Sequence, residues 1–309
     1  MPGFMGIKGV ACRLLAMENV RWAFHCGSWA PTRAEWLLCA QCVQPEEKHR
    51  IGQFMFTRDA KAAMAGRLLI RKLIAEKLQI PWSKILLQRT AKGKPFLANE
   101  ISSQHLNFNF NVSHQGDYAV LAAEPELQVG VDIMKTDLPG SGSTEEFFRL
   151  MNRQFTEKEW CTIKSMNCNR SRLDMFYRHW ALKESFIKAI GVGLGFNLQR
   201  IEFEVSPINM ETGKAYGETK MWLDEEQENW IFEEYLLDNQ HHVAVALGEL
   251  DEPKKENSKK VTCENTMFTV LTFEDLMASA VPITSEDPEY WDNFQSKQEV
   301  PFRQRSNPS

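Results

Sequence analysis

Four short stretches of this 309-residue chain hold residue types that could do chemistry. Asp132 lies in LQVGVDIM, where Val129, Val131 and Ile133 alternate as in a buried strand. A carboxylate there is costly to desolvate unless a positive charge compensates it. Taken alone, it reads better as an aspartate that ends a strand and caps the next turn. Glu184 and Lys188 fall with Trp180 at i, i+4 and i+8 on one face of a helix expected over 173–190. An exposed Glu–Lys pair is the plain account, but Phe176 and Trp180 beside it place the two charges at the border of a core. In NFNVSHQGDYAV, a short strand delivers Ser113 and His114 into a turn around Gln115-Gly116. Adjacent residues cannot form a nucleophile–base pair, so these two are better donors to a phosphate. QRTAKGKP sets Arg89, Lys92 and Lys94 around Gly93, either a solvated turn or a cradle for a polyphosphate. Two acids, a lysine, a histidine and a basic turn together describe a metal-assisted site for a phosphorylated ligand.

The elements that must position these residues repeat. Residues 51–80 read as a turn and a long helix, with Met64, Leu68, Ile70, Leu73, Ile74 and Leu78 at helical spacing and Pro81 as its stop. The helix over 173–190 answers it, with Phe176, Trp180, Ile187 and Ile190 as its apolar stripe and Gly191 and Gly193 at its end. Each is followed by a strand-like run, GDYAVLAAE (116–124) and HHVAVALGE (241–249). The expected fold is α+β, two pseudo-duplicated α/β halves over 15–123 and 124–250 with the site at their interface. A charged linker (251–260) leads to a tail in which MFTVLTFEDLMASAVP forms a strand and a short helix, and the last fifteen residues are expected to lack structure.

Composition narrows the class. Hydrophobic residues at 43% and charged residues at 25% support a packed core, and a formal charge of −5 argues against a general nucleic-acid binder. Membrane insertion is not expected, since no apolar run approaches the ~20 residues a span requires. Seven irregularly spaced cysteines suggest reduced thiols in a cytosolic protein, and Cys39 and Cys42 read as buried thiols. A weak basic bias over the first 24 residues falls short of a transit peptide.

Gly130-Val131-Asp132, followed about fifty residues later by W-A-L-K-E-S-F-I-K (180–188), resembles the signature of the surfactin-synthetase-type 4'-phosphopantetheinyl transferases. The likeness runs to about residue 250 and looks closest to the family's animal branch. It implies a fold of two like subdomains, with coenzyme A in the cleft between them as donor substrate and Mg²⁺ on its pyrophosphate. By position, Asp132 and Glu184 are the implied metal ligands, and Lys188 stabilises charge on the pyrophosphate. Asp132, Glu184 and Lys188 are the implied catalytic set, with Glu184 the candidate base. Arg50, Arg89, Thr90, Ala91, Lys92, Gly93, Lys94, Asn111, Val112, Ser113 and His114 would hold the nucleotide and its phosphates, with Arg50 and His114 near the 3'-phosphate. The run Glu184, Ser185, Phe186, Ile187 and Lys188 completes the implied donor site.

The implied partners are acyl carrier protein domains, including those of fatty acid synthase and an aminoadipate-semialdehyde dehydrogenase. The segment 135–150, with Phe147 and Phe148, is the candidate docking surface, and a monomer is expected because one chain supplies both halves of the cleft. Many bacterial relatives carry D-x-E where this chain has Asp132-Ile133-Met134, so water is expected at the third metal position. The alternative is a coenzyme A-binding module without catalysis.

Overall fold

The computed structural model describes residues 18–101, 106–138, 142–193, 195–250 and 266–300. Residues 1–17 of the basic-biased first 24, the linker 251–260 and the chain end 301–309 lie outside the described residues. The first half opens with strand β1 (Val20–His25) and helices α1 (Arg33–Gln41), α2 (Pro45–Gly52) and α3 (Thr57–Lys77). Two hairpins follow, β2 (Leu87–Arg89) with β3 (Pro95–Leu97), and β4 (Asn109–Gln115) with β5 (Tyr118–Glu124). The second half opens with β6 (Gln128–Lys135), then α4 (Thr144–Leu150), α5 (Glu157–Lys164) and α6 (Asn169–Ile190). Short strands β7 (Ile201–Glu204), β8 (Ala215–Tyr216), β9 (Lys220–Leu223) and β10 (Glu226–Gln227) lead to a hairpin of β11 (Ile231–Asp238) and β12 (His241–Gly248). The tail adds β13 (Thr269–Leu271), α7 (Phe273–Met277) and α8 (Pro288–Gln295).

The two main sheets share one plan. In order β1-β5-β4 and in order β6-β12-β11, the opening strand pairs antiparallel with the last strand, which pairs with the one before it. In each half the long helix between opening strand and hairpin lies on the sheet, α3 against β4 and β5, α6 against β6 and β12. The sheets then face each other. Tyr118, Val120 and Ala122 of one meet Val129, Val131, Ile133, Val243 and Val245 of the other in a shared apolar layer. Their alternates turn outward to the helices: Ala119, Leu121 and Ala123 join the core around α3, and Ala244 and Ala246 join that around α6. Gly130 and Asp132 therefore face α6.

Two expectations need correction. The helix expected from 173 begins at Asn169, where the Cys168 thiol accepts from the Ser171 N–H. The chain end is ordered further than composition implies. Beyond the strand and helix expected for the tail there is α8, and the Thr57 N–H donates to the Gln298 carbonyl at 2.9 Å. The reason is local: Phe56 gives α3 no side-chain cap, and the unpaired amides of its first turn take backbone carbonyls from the tail.

Candidate active site

A glycine sets the geometry of the second half's contribution. A Cβ on Gly130 would lie 2.0 Å from the Ser185 carbonyl oxygen and 2.4 Å from the Ala189 nitrogen, so only glycine lets β6 pass this close under α6. Two residues on, Asp132 faces the same helix and is 5% exposed. Its Oδ1 accepts from the Lys188 ammonium at 2.5 Å and from the Ser113 hydroxyl at 2.8 Å, and Lys188 also donates to Ser113 Oγ at 2.7 Å. Lys188 thus pairs with Asp132 of its own half and bonds to Ser113 of the other, and not with Glu184 one turn away. Asp132 Oδ2 is buried without a hydrogen-bond partner. Glu184 is half-buried and, among the described residues, has no ion pair or side-chain hydrogen bond. Burial and the Asp132 charge raise its pKa above the carboxylate norm, with Lys188 offsetting part of the rise.

The first half brings the cations. A cleft of about 540 Å³ opens between α3, β4, the β2–β3 turn and α6. At one end Arg89 makes a two-pronged contact with Glu47, both bonds 3.0 Å, while Arg67 on α3 stands 3.6 Å from the same carboxylate. Arg50 on α2 lines the cleft with no carboxylate in ion-pair range among the described residues. Burial lowers the pKa of Arg50 and takes that of Arg67 down to about 10; the neighbouring guanidiniums add to the effect. Two guanidiniums share the Glu47 carboxylate and the third, Arg50, has none in range, which leaves an excess of positive charge that a polyanion would neutralise. His114 opens onto the cleft, yet the crowding walls, then Lys188, Arg67, Arg50 and Arg89, push its pKa down to about 4. The β2–β3 turn crosses to α6, where Lys92 donates to the Val192 and Gly191 carbonyls and Lys94 to that of Lys188. Cations at a helix C-terminus are favourable partners for its free carbonyls.

The expected residues divide by what their backbone allows. Arg50, Arg89, Lys92, Gly93 and Lys94 line the cleft, as do Asn111, Val112 and His114 from β4 and Glu184, Ile187 and Lys188 from α6. Asp132 and Ser113 stand behind that lining, joined to it by Lys188. Ser113 and His114 lie within β4 itself, the turn being at Gly116, and the Ser113 hydroxyl goes to Asp132 instead of the open cleft. Thr90 and Ala91 are not on the lining; the Thr90 hydroxyl accepts from the Lys94 N–H and shapes the turn. Ser185 and Phe186 point away. Helical rotation buries Ser185 entirely, its hydroxyl donating to the Leu182 carbonyl, and sets Phe186 edge-on to Trp230. Phe148 is likewise core, packed on Trp160 and Phe176, so it offers no docking surface.

Sequence reasoning missed Arg67, Glu47, Gln154 and Phe196, all at the cleft or bound to its cations. Arg67 had a signal of the same kind as Asp132, a charge on a helix face next to Leu68 and within the buried stretch of α3. The acids fit a divalent cation in one respect: Asp132 Oδ2 and Glu184 are two unpartnered carboxylate functions close enough to repel. Met134 packs against the second-half core, and no group of three His, Cys, Asp or Glu side chains that could hold a metal occurs among the described residues.

Comparison with known proteins matches this architecture half by half. Residues 27–126 match the family model described as 4'-phosphopantetheinyl transferase, N-terminal, and residues 128–246 that of the 4'-phosphopantetheinyl transferase superfamily. The L-aminoadipate-semialdehyde dehydrogenase-phosphopantetheinyl transferase of Xenopus laevis is 74% identical over 97% of this chain and 99% of its own length. The Homo sapiens protein of the same name is 62% identical over 94% and 96%. The 4'-phosphopantetheinyl transferase psf-1 of Bacillus pumilus is 28% identical over 73% and 86%. With both halves matched and such identity from end to end, the chain belongs to the 4'-phosphopantetheinyl transferase superfamily.

Proposed function

We propose that the cleft holds coenzyme A with its nucleotide phosphates on Arg50, Arg67, Arg89 and His114 and its pyrophosphate beside Lys188, Glu184 and Asp132. The overall reaction is that of the family: the 4'-phosphopantetheine of coenzyme A passes to a serine of a carrier domain. The serine oxygen attacks the phosphorus that bears pantetheine, the bond from that phosphorus to the bridging pyrophosphate oxygen breaks, and 3',5'-ADP leaves. Glu184 receives the serine proton. It is a cleft carboxylate with no partner of its own, and its raised pKa makes it a stronger base than an exposed glutamate. Lys188 spends two of its three N–H groups on Asp132 and Ser113, leaving one for the oxygen that gains charge. A magnesium ion held by Asp132 and Glu184, with water in place of a third acid, would supply further neutralisation of the pyrophosphate when bound.

The observation that carries this reading is the separation of charge along one cleft: more guanidiniums than carboxylates at one end, and at the other Glu184 near the free Oδ2 of Asp132. The names of the animal relatives support an aminoadipate-semialdehyde dehydrogenase as one acceptor; the carrier domain of fatty acid synthase, expected from the family resemblance, is proposed as a second. A cytosolic monomer fits a chain that brings both walls of its own cleft. The test is mass spectrometry of an apo carrier domain incubated with coenzyme A and the enzyme, with magnesium or with a chelator. We expect the mass gain of one phosphopantetheine with the metal, and almost none with the chelator or with Asp132→Ala. Full transfer under chelation, or by Asp132→Ala, overturns the assignment of the acid pair.

A further inference from the structure

The family models account for residues 27–126 and 128–246, yet residues 266–300 also fold. Thr266 and Phe268 touch Tyr235 of β11, and from β13 onward the tail packs on the first half. Strand β13 adds in parallel to β1, pairing Trp22, Ala23 and Phe24 with Thr269, Val270 and Leu271. Leu276, Tyr290 and Phe294 enter the core around α3, and the Phe294 and Tyr290 rings stack on Trp36 with centroids 3.9 and 6.0 Å away. After this apolar anchorage the chain reaches α2 and the start of α3.

Its polar contacts there concentrate on one element. The Tyr290 hydroxyl donates to the Lys48 carbonyl at 3.1 Å, Asp287 pairs with the Lys48 ammonium at 2.8 Å, and the Lys297 ammonium donates to the Gly52 carbonyl at 2.9 Å. A Cβ on Gly52 would meet the Tyr290 ring at 3.3 Å, so the ring lies flush against the end of the helix. The Gln298 and Glu299 carbonyls then accept from the Thr57 and Arg58 amides that open α3. The carbonyl of Gly52 and these two amides belong to the groups that a helix leaves unpaired at its ends.

Helix α2 needs such support. It has eight residues, no side-chain N-cap and only Glu47 and Ile51 buried, and a helix so short is marginal without tertiary contacts. It also carries Glu47, which gathers Arg89 and Arg67, and Arg50, the cleft guanidinium without a carboxylate. We infer that Tyr290 and Lys297 of the tail are positioning residues for the donor substrate: by fixing α2 they hold Arg50 and Glu47 where the nucleotide phosphates of coenzyme A bind. This rests on the reading of that end of the cleft given above. It makes the tail part of the binding machinery for one substrate, with no role in the chemical step or in carrier recognition.

The test uses the full chain with Tyr290→Phe and Lys297→Met together, which remove the two anchors and leave the aromatic stack in place. We expect the KM for coenzyme A to rise about tenfold, with kcat and the KM for the carrier within about twofold of their starting values. Lys297→Arg, which keeps a donor, should restore most of the loss. Arg50→Met should raise the same KM, and on that background the tail substitutions should add less than about twofold, because two changes acting through one group are not additive. If the double variant unfolds, Lys297→Met alone, at a half-buried site, carries the test. An Arg50→Met enzyme with unchanged KM would remove the cationic end from coenzyme A binding altogether. A raised KM in Arg50→Met beside an unmoved KM in the tail variant, or tail effects that simply add to those of Arg50→Met, would overturn the positioning role and leave the tail a structural element.

Discussion

Replacing Gly130 by alanine tests whether the passage of β6 beneath α6 is what assembles the acid–lysine centre. The added methyl would sit 2.0 Å from the Ser185 oxygen, where ordinary contact begins at 3.4 Å, a deficit of 3.4 − 2.0 = 1.4 Å. The obstructing atoms are Ser185 O, Ala189 N and Ala189 Cα, all backbone, so no rotamer change relieves the clash. Either the strand or the helix must give way by about that distance. Overpacking of this kind typically costs 1–3 kcal/mol, and a backbone clash belongs at the upper end, about 3 kcal/mol. By the size scaling of unfolding entropy, each kcal/mol lowers Tm by about 1.5 °C in a chain of 309 residues, so the melt should move down by about 5 °C. The functional effect is larger. Glu184 and Lys188 ride on α6 while Asp132 rides on β6, and a misplacement of about 1 Å at a reacting centre can cost about 100-fold. The assay is the initial rate of carrier modification by mass spectrometry, alongside a circular-dichroism melt. Gly191→Ala is the control, because its left-handed φ of 69° brings strain with nothing within 4 Å to strike. A Gly130→Ala enzyme with an unmoved Tm and a rate within about threefold would refute the argument.

Four further outcomes follow from the same geometry. Glu184→Gln should lower transfer by about 10²- to 10⁴-fold; its melt should not fall at neutral pH, since a raised folded-state pKa means the ionised carboxylate opposes folding above that pKa, and glutamine removes the charge. Without magnesium, the Glu184 carboxyl should titrate above the ordinary glutamate value when followed by NMR, and magnesium should draw that titration down; a titration unmoved by the metal would remove Glu184 as a ligand. Lys183→Ala should cost about 3–5 kcal/mol in denaturant unfolding, because it strips the 2.7 Å partner from Glu159, whose side chain is fully buried, along with bonds to the Leu198 and Ile201 carbonyls. Arg67→Met should raise the KM for coenzyme A by about 10- to 100-fold, the loss of a charge-assisted hydrogen bond, with stability little changed; an unmoved KM would take Arg67 out of the phosphate site.

Asp132, Glu184 and Lys188 were legible because each is a charge set in an apolar pattern, and such a charge must be explained by its surroundings. Their pairing was not. The helical i, i+4 rule joins Glu184 to Lys188, whereas the fold gives Lys188 an aspartate on a strand 56 residues earlier. Period explains the other errors. A contiguous run carried onto a helix turns through 100° per residue, so Ser185 and Phe186 face the core although their neighbours line the cleft. Along β4 the period of two sends the Ser113 hydroxyl to Asp132 and His114 to the cleft. The two-half α+β plan could be read from the repeated order of long helix and apolar strand. The docking of α8 on Trp36 could not, since it depends on tertiary contacts across more than 250 residues of chain.

A chain of net charge −5 that handles a polyanion must concentrate its cations, and here the two halves divide that work by sign. The first half brings Arg50, Arg67, Arg89, Lys92 and Lys94 to the cleft, with a neutral His114 among them, and the second brings Glu184 with Asp132 behind it. Lys188 is the exception, a cation from the second half held on Asp132 by Ser113 of the first. The exception ties the halves together at the point where they meet. Neither half alone gathers both the cations suited to the donor phosphates and the acids suited to a metal. Assembly of the interface and assembly of the site are therefore one event, and a substitution that only loosens the packing of β4 against β6 should be felt in transfer before it is felt in either core.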